Sequence, residues 1–225
     1  RPVTKKTWTL TQTARIPEMM REAFRTALTP RRGPVMLNLP RDLLAESYAF
    51  DSPLSPIGRQ FEGGFGGASD LMERAAQLLR TARQPLILAG GGVKNGRCHK
   101  EVLELAELLN APVAMSPGHG DAIPYTHPLY AGQVGPRGNP VASDLAKQAD
   151  VILALRTRLG FNTAFYSNQK NNSAAHIIQV EAEPTAIGRF FPVALGIFGD
   201  ACTVSRDLTR LLCGHDGQVA ATWSK

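Results

Sequence analysis

Pro85-Leu86-Ile87-Leu88-Ala89-Gly90-Gly91-Gly92 decides the fold: an apolar run without a polar break ends in three glycines. Apolar on every residue, such a run suits a strand buried on both faces of a sheet rather than one with a wet side. Further short, mainly apolar runs follow at residues 112–115, 151–155, 177–180 and 195–198. Helical patterns alternate with them. Asp70 with Glu73 resembles a capping box ahead of Leu71, Met72, Ala75, Leu78, Leu79 and Ala82. Residues 99–109 set Val102, Leu103, Ala106 and Leu109 on one face, and helices are predicted at 140–148, 185–189 and 201–212. Residues 116–139 read as one long irregular section. Strands alternating with helices predict an α/β fold, a doubly wound parallel sheet of Rossmann-like type with right-handed crossovers.

In such a fold ligands sit outside the carboxyl ends of the strands. Those ends carry Gly90, Gly91 and Gly92, then Ser116, then Arg156-Thr157-Arg158, then Glu181 and Glu183, and last Gly199 and Asp200. Glycines allow a backbone to approach phosphate, arginine neutralises it, and carboxylates hold ribose hydroxyls or an adenine amine. The same residues serve equally as ordinary strand-end turns. A dinucleotide site of the NAD type wants Gly-x-Gly-x-x-Gly and an acidic residue about 20 positions later. Here the glycines are contiguous and the second strand ends in Ser116, which disfavours NAD. His119 beside Asp121 suggests either acid–base chemistry or a turn, and no nucleophile stands at a recognisable spacing.

Working outward toward the first residue, residues 47–68 hold Pro53, Pro56, Gly63, Gly64, Gly66 and Gly67 around Phe61 and Phe65, and read as a linker whose phenylalanines pack on a neighbouring domain. Before it, Met20, Phe24, Ala27 and Leu28 share one face of a helix over 17–28, and Pro34-Val35-Met36-Leu37-Asn38-Leu39-Pro40 reads as a strand between prolines. One helix and one strand bury no core of their own. The partner elements are therefore expected upstream of Arg1, and the chain, which lacks an initiating methionine, reads as an excised piece.

Gly33-Pro34-Val35-Met36-Leu37-Asn38-Leu39-Pro40-Arg41-Asp42 after such a helix resembles the last strand of the pyrimidine-binding domain of thiamine-diphosphate enzymes, and residues 84–213 resemble their central domain. The family includes acetolactate synthase, pyruvate oxidase, oxalyl-CoA decarboxylase and sulfoacetaldehyde acetyltransferase. The resemblance implies four segments: residues 1–46 the end of the pyrimidine-binding domain, 47–68 a linker, 69–213 the Rossmann-like central domain, and 214–225 a linker toward a missing C-terminal domain. It implies thiamine diphosphate and magnesium in the complete protein, chemistry that makes or breaks C–C bonds next to a carbonyl, homo-oligomers, and no catalytic residue in this piece. Gly214-His215-Asp216-Gly217 resembles the magnesium motif only superficially, because no strand precedes it.

Relatives implied by the resemblance hold FAD, an ADP unit or nothing in the central domain. Where the family has Gly-(Thr/Ala)-Arg this chain has Arg156-Thr157-Arg158, and where it has Asp-x-(Asp/Asn)-Pro this chain has Glu181-Ala182-Glu183-Pro184. Those departures argue against FAD. A bound ADP would meet Gly90 to Gly92 with its phosphates and Arg158 with its charge, while Glu181, Glu183 or Asp200 face the sugar. Alternatively Arg156 folds into the cleft, pairs with Glu183 and closes it. An autonomous adenine-nucleotide module is the other functional reading. The stretch Gly118-His119-Gly120-Asp121-Ala122 followed by His127-Pro128-Leu129 most resembles sulfoacetaldehyde acetyltransferase.

Composition sets the remaining bounds. With 225 residues and 43% hydrophobic content, the chain is one large or two small domains. Its net charge of +6 is scattered, without a basic run interleaved with aromatics, which disfavours nucleic acid. No run of about 18 apolar residues suits a membrane span. Cys98, Cys202 and Cys213, odd in number and widely spaced, are expected as reduced cytoplasmic thiols.

Overall fold

The computed structural model describes residues 3–29, 32–50, 65–160, 163, 172, 174–214, 222 and 223. Phe61 and most of the glycine- and proline-rich linker, the aromatic residues Phe161, Phe165 and Tyr166, and Gly214-His215-Asp216-Gly217 beyond its first glycine lie outside the described residues. Two compact units divide the chain, residues 1–63 and 64–225.

The first unit is a small β-α-β arrangement. Strand β1 (Thr7–Thr9) runs parallel to β2 (Met36–Asn38), pairing Thr7 with Met36, Trp8 with Leu37 and Thr9 with Asn38. Helix α1 (Ile16–Leu28) joins them, with Pro17 in its first turn, where a missing N–H costs nothing. A short helix α2 (Arg41–Ala45) follows Pro40. Two expectations change here. One strand partner lies within the chain, at Thr7–Thr9, and not only upstream. The proline-bounded stretch also yields just three strand residues before Arg41 turns helical.

Six parallel strands build the second unit: β3 (Pro85–Ala89), β4 (Val113–Met115), β5 (Tyr130–Gln133), β6 (Val151–Leu155), β7 (His176–Glu181) and β8 (Leu195–Phe198). Their order across the sheet is β5-β4-β3-β6-β7-β8. The chain moves outward one way from β3 and then returns to start the other half at β6. The doubly wound parallel architecture read from the sequence is what the structure has.

Within each strand, alternate residues divide between the two faces, as period-two strands require. Ile87, Val113, Met115, Leu153, Leu155 and Ile178 join one core with buried residues of α3 (Ser69–Thr81), α4 (Gly91–Gly96), α5 (His99–Leu109) and α7 (Ala201–Cys213). Leu86, Leu88, Ala114, Ile152 and Ile177 form the other core, against Ala142 and Ala146 of α6 (Pro140–Gln148) and Phe191. Local chemistry fixes the helix ends. The Asn139 side chain accepts from the Val141 N–H at 2.9 Å with Pro140 behind it, and the Asp200 carboxylate accepts from the Thr203 N–H at 3.0 Å. Both are N-caps of the preferred residue types.

Four local expectations are corrected. Ala68, not Asp70, occupies the cap of α3, and no side-chain cap bond forms there, so the capping box is absent. Strand β5 lies inside the section read as irregular; Gly132 within it has φ of 91° and breaks the strand pattern. A 3-10 turn, Pro184–Ala186, replaces the short helix at 185–189. Cys98 and Cys202 form a disulfide, with Cα atoms 4.9 Å apart across 104 residues, whereas Cys213 is a free, exposed thiol. Cys98 directly precedes α5 and Cys202 is the second residue of α7, and the packing of α5 on α7 brings the sulfurs together.

Candidate site at the carboxyl ends of the strands

Strand order reverses between β3 and β6, so the crevice of this fold opens where those two strands end. The ladder keeps them close, the Gly90 N–H donating to Leu155 O at 2.9 Å, while the Arg156 N–H ties the end of β6 to Val180 O of β7 at 2.9 Å. A side chain at Gly90 would collide with the Arg156 carbonyl, and one at Gly92 with the Arg156 side chain itself. Gly91 faces the His119 ring, which would stand 2.7 Å from an added Cβ. The glycine run therefore gives close approach to protein atoms of the neighbouring strand end and loop.

Arg156 leaves β6 in the left-handed region, φ 54°, an unfavourable conformation for a residue with a Cβ. Its side chain crosses Gly92 and its Nη1 lies 3.7 Å from Glu181 Oε2, with side-chain exposures of 18% for Arg156 and 8% for Glu181. Removal from water makes a carboxylate so placed dependent on its cation. The expected partner, Glu183, instead accepts from the Thr185 hydroxyl at 3.0 Å. Glu181 is the last residue of β7 and sits beside β6, whereas Glu183 has already left the sheet.

The remaining strand-end residues differ in character. Ser116 is buried, its hydroxyl donating to Ala89 O at 3.3 Å. Arg158 is exposed. Gly199 is buried against Val204 and the backbone of residue 65, and Asp200 uses both carboxylate oxygens on backbone, capping α7 and accepting from the Phe65 N–H. Phe65 packs against Phe198, with ring centroids 4.8 Å apart and the rings tilted, so this linker phenylalanine packs on the neighbouring central domain, as expected. Asp121 forms an ion pair with Lys94 at 2.7 Å, and that hydrogen bond holds its carboxyl below the usual aspartate range. His119 and Asp121 share no hydrogen bond among the described residues.

Gln179 escaped the sequence reading. Buried in β7, it donates to Thr157 O and Ala186 O, both at 3.3 Å, and accepts from the Gly188 N–H at 2.9 Å. It ties the β6 exit to the segment after β7. A polar residue inside the otherwise apolar run Ile177-Ile178-Gln179-Val180 was its only signal. Also missed was a mainly apolar cavity of about 200 Å³ between Leu88, Ile152 and Ile177 of the sheet and Pro140 and Ala146 of α6. Gly135, Pro136 and Gly138 also line it, from a stretch that carries no strand or helix pattern.

A doubly wound domain with a switch-point crevice and a preceding β-α-β unit defines a class of α/β proteins. The profile described as "Thiamine pyrophosphate enzyme, central domain" matches residues 72–208. The chain belongs to the thiamine pyrophosphate enzymes and contains their central domain. It is 40% identical over 213 residues to sulfoacetaldehyde acetyltransferase of Alcaligenes xylosoxydans xylosoxydans, covering 92% of this chain and 34% of that one. It is 32% identical over 219 residues to the acetolactate synthase isozyme 3 large subunit of Escherichia coli, covering 94% and 37%. The fold matches the crystal structure of benzoylformate decarboxylase from Polynucleobacter necessarius with a TM-score of 0.77, at 21% identity, over 94% of this chain and 39% of the other. The chain thus spans about a third of the length of the curated relatives it matches.

Among the described residues no group of three or more His, Cys, Asp or Glu side chains is placed to hold a metal ion. Nor is any described helix long and apolar enough to cross a membrane.

Proposed function

We propose that this chain acts as the central, spacing domain of a thiamine-diphosphate-dependent enzyme that transfers acetyl groups, of the sulfoacetaldehyde acetyltransferase kind. The observation that carries this reading is the 40% identity to that enzyme across 92% of the chain, against 32% to the acetolactate synthase. In the complete enzyme thiamine diphosphate would supply the carbanion chemistry, held by domains outside this chain. This chain's part is to hold a rigid sheet between the domains that bind the cofactor. Residues 1–46 belong to the pyrimidine-binding domain, 47–68 and 214–225 are connections, and the assembled enzyme is a cytoplasmic homo-oligomer that uses magnesium.

Packing at the strand ends supports a scaffold role. Gly90, Gly92, Gly199 and Asp200 each serve the close approach or capping of protein segments. The acetolactate synthase kind of carboligation is the second reading, favoured by the 32% identity over 219 residues.

Grafting tests the choice. Residues 1–225 would replace the corresponding third of the Alcaligenes enzyme, and consumption of sulfoacetaldehyde would be followed with thiamine diphosphate and magnesium. The chimera is expected to keep turnover, and the isolated chain to have none with sulfoacetaldehyde or pyruvate. Turnover by the isolated chain above a buffer control would overturn the scaffold reading. A folded chimera that binds thiamine diphosphate yet leaves sulfoacetaldehyde untouched would favour carboligation.

A further inference from the structure

We infer that Arg156 is a built-in plug of the switch-point crevice, and that this one residue excludes the diphosphate of ADP or FAD from the domain. The inference rests on reading the crevice as a scaffold element, and it concerns ligand choice alone.

Three independent observations meet at Arg156. The first is position: its Cβ, Cγ and Nε lie against Gly92, which has no side chain to hold them off, at the point where strand order reverses and a nucleotide diphosphate would run. The second is charge. The guanidinium sits inside the crevice with 18% exposure, and the Glu181 carboxylate 3.7 Å away is more buried still. A diphosphate entering here would have to displace the cation from a buried carboxylate and then stand beside that carboxylate itself. The third is backbone. Arg156 has φ 54°, a conformation glycine adopts without penalty and arginine does not. Strain held at a ligand crevice points to a role, and the role that fits is occupancy.

The geometry also says how to open the crevice. Glycine at 156 removes the side chain from Gly92 and relieves the positive φ. It leaves Glu181 facing the vacated space, so the carboxylate must be neutralised in the same chain. Arg156→Gly with Glu181→Gln does both, while the exposed Arg158 remains as a phosphate cation.

The full chain and this double variant would be titrated with ADP by calorimetry and with FAD by quenching of flavin fluorescence, with folding checked by circular dichroism. Wild type is expected to show no saturable binding of either. The double variant should bind ADP at least roughly ten-fold more tightly than the wild-type limit, a difference of about 1.4 kcal/mol. Glu181→Gln alone, which keeps the plug, should bind no better than wild type. A folded double variant without gain would overturn the inference, and so would wild-type binding of ADP or FAD as tight as the variant's. Neither result bears on the grafted chimera, whose readout is turnover.

Discussion

The two units are built on the same β-α-β principle and differ in what covers it. In the six-stranded unit Leu153, Ile178 and Ile87 are fully buried, with helices on both faces. In the two-stranded unit Leu10 and Ala23 are the buried apolar residues among those described, while Phe24 of α1 is 49% exposed and Leu28 56%. A two-stranded sheet is marginal alone, since stability follows apolar area removed from water. The difference teaches that regular secondary structure and a stable core are separate achievements. The first unit has one without much of the other.

The comparison breaks or holds on mutation. Leu153→Ala, which empties a fully buried site, is expected to cost about 3 kcal/mol in a denaturant melt. Phe24→Ala on the open face of α1 should stay within about 0.5 kcal/mol. Equal losses at the two sites would mean that the α1 face is covered in solution. Between those two lies the effect of Asp200→Ala, which removes the α7 cap and the anchor of Phe65, at about 1 kcal/mol. Asp200→Asn, retaining one acceptor, should fall between it and wild type in the same melts.

The smallest effect concerns Asp121, whose carboxyl is lowered by its hydrogen bond to Lys94. A group lowered in the folded state stabilises above its unfolded value and loses that contribution as pH falls through the folded one. Melts of wild type and Asp121→Asn should therefore differ slightly at neutral pH and converge as pH drops below the ordinary aspartate range, near ~4. A gap that persists in acid would assign the effect to packing instead.

What the sequence disclosed follows burial. Strands β3 and β6 are legible because every residue in Pro85–Ala89 and Val151–Leu155 is buried and apolar. Strand β5 was not, since Tyr130-Ala131-Gly132-Gln133 has half-exposed ends and a glycine at positive φ. Strand β1 was missed for the same reason, being three residues with no buried member. At the crevice, the residue types at the strand ends were readable and so was the option that Arg156 fills it. Which carboxylate it meets depends on strand register, and two residues along the chain separate Glu181 from Glu183. The disulfide was invisible because its 104-residue separation closes only through the packing of α5 on α7.

That bond has a consequence for how the domain survives damage. Everything from α5 through β8 lies between Cys98 and Cys202, which makes most of the sheet one covalent ring. A single protease cut in the loop after β4, or in the segment between β6 and β7, opens the ring without releasing a fragment. The severed halves stay tethered beside their own strand neighbours and can close again, and they part on a gel only when a reductant is added.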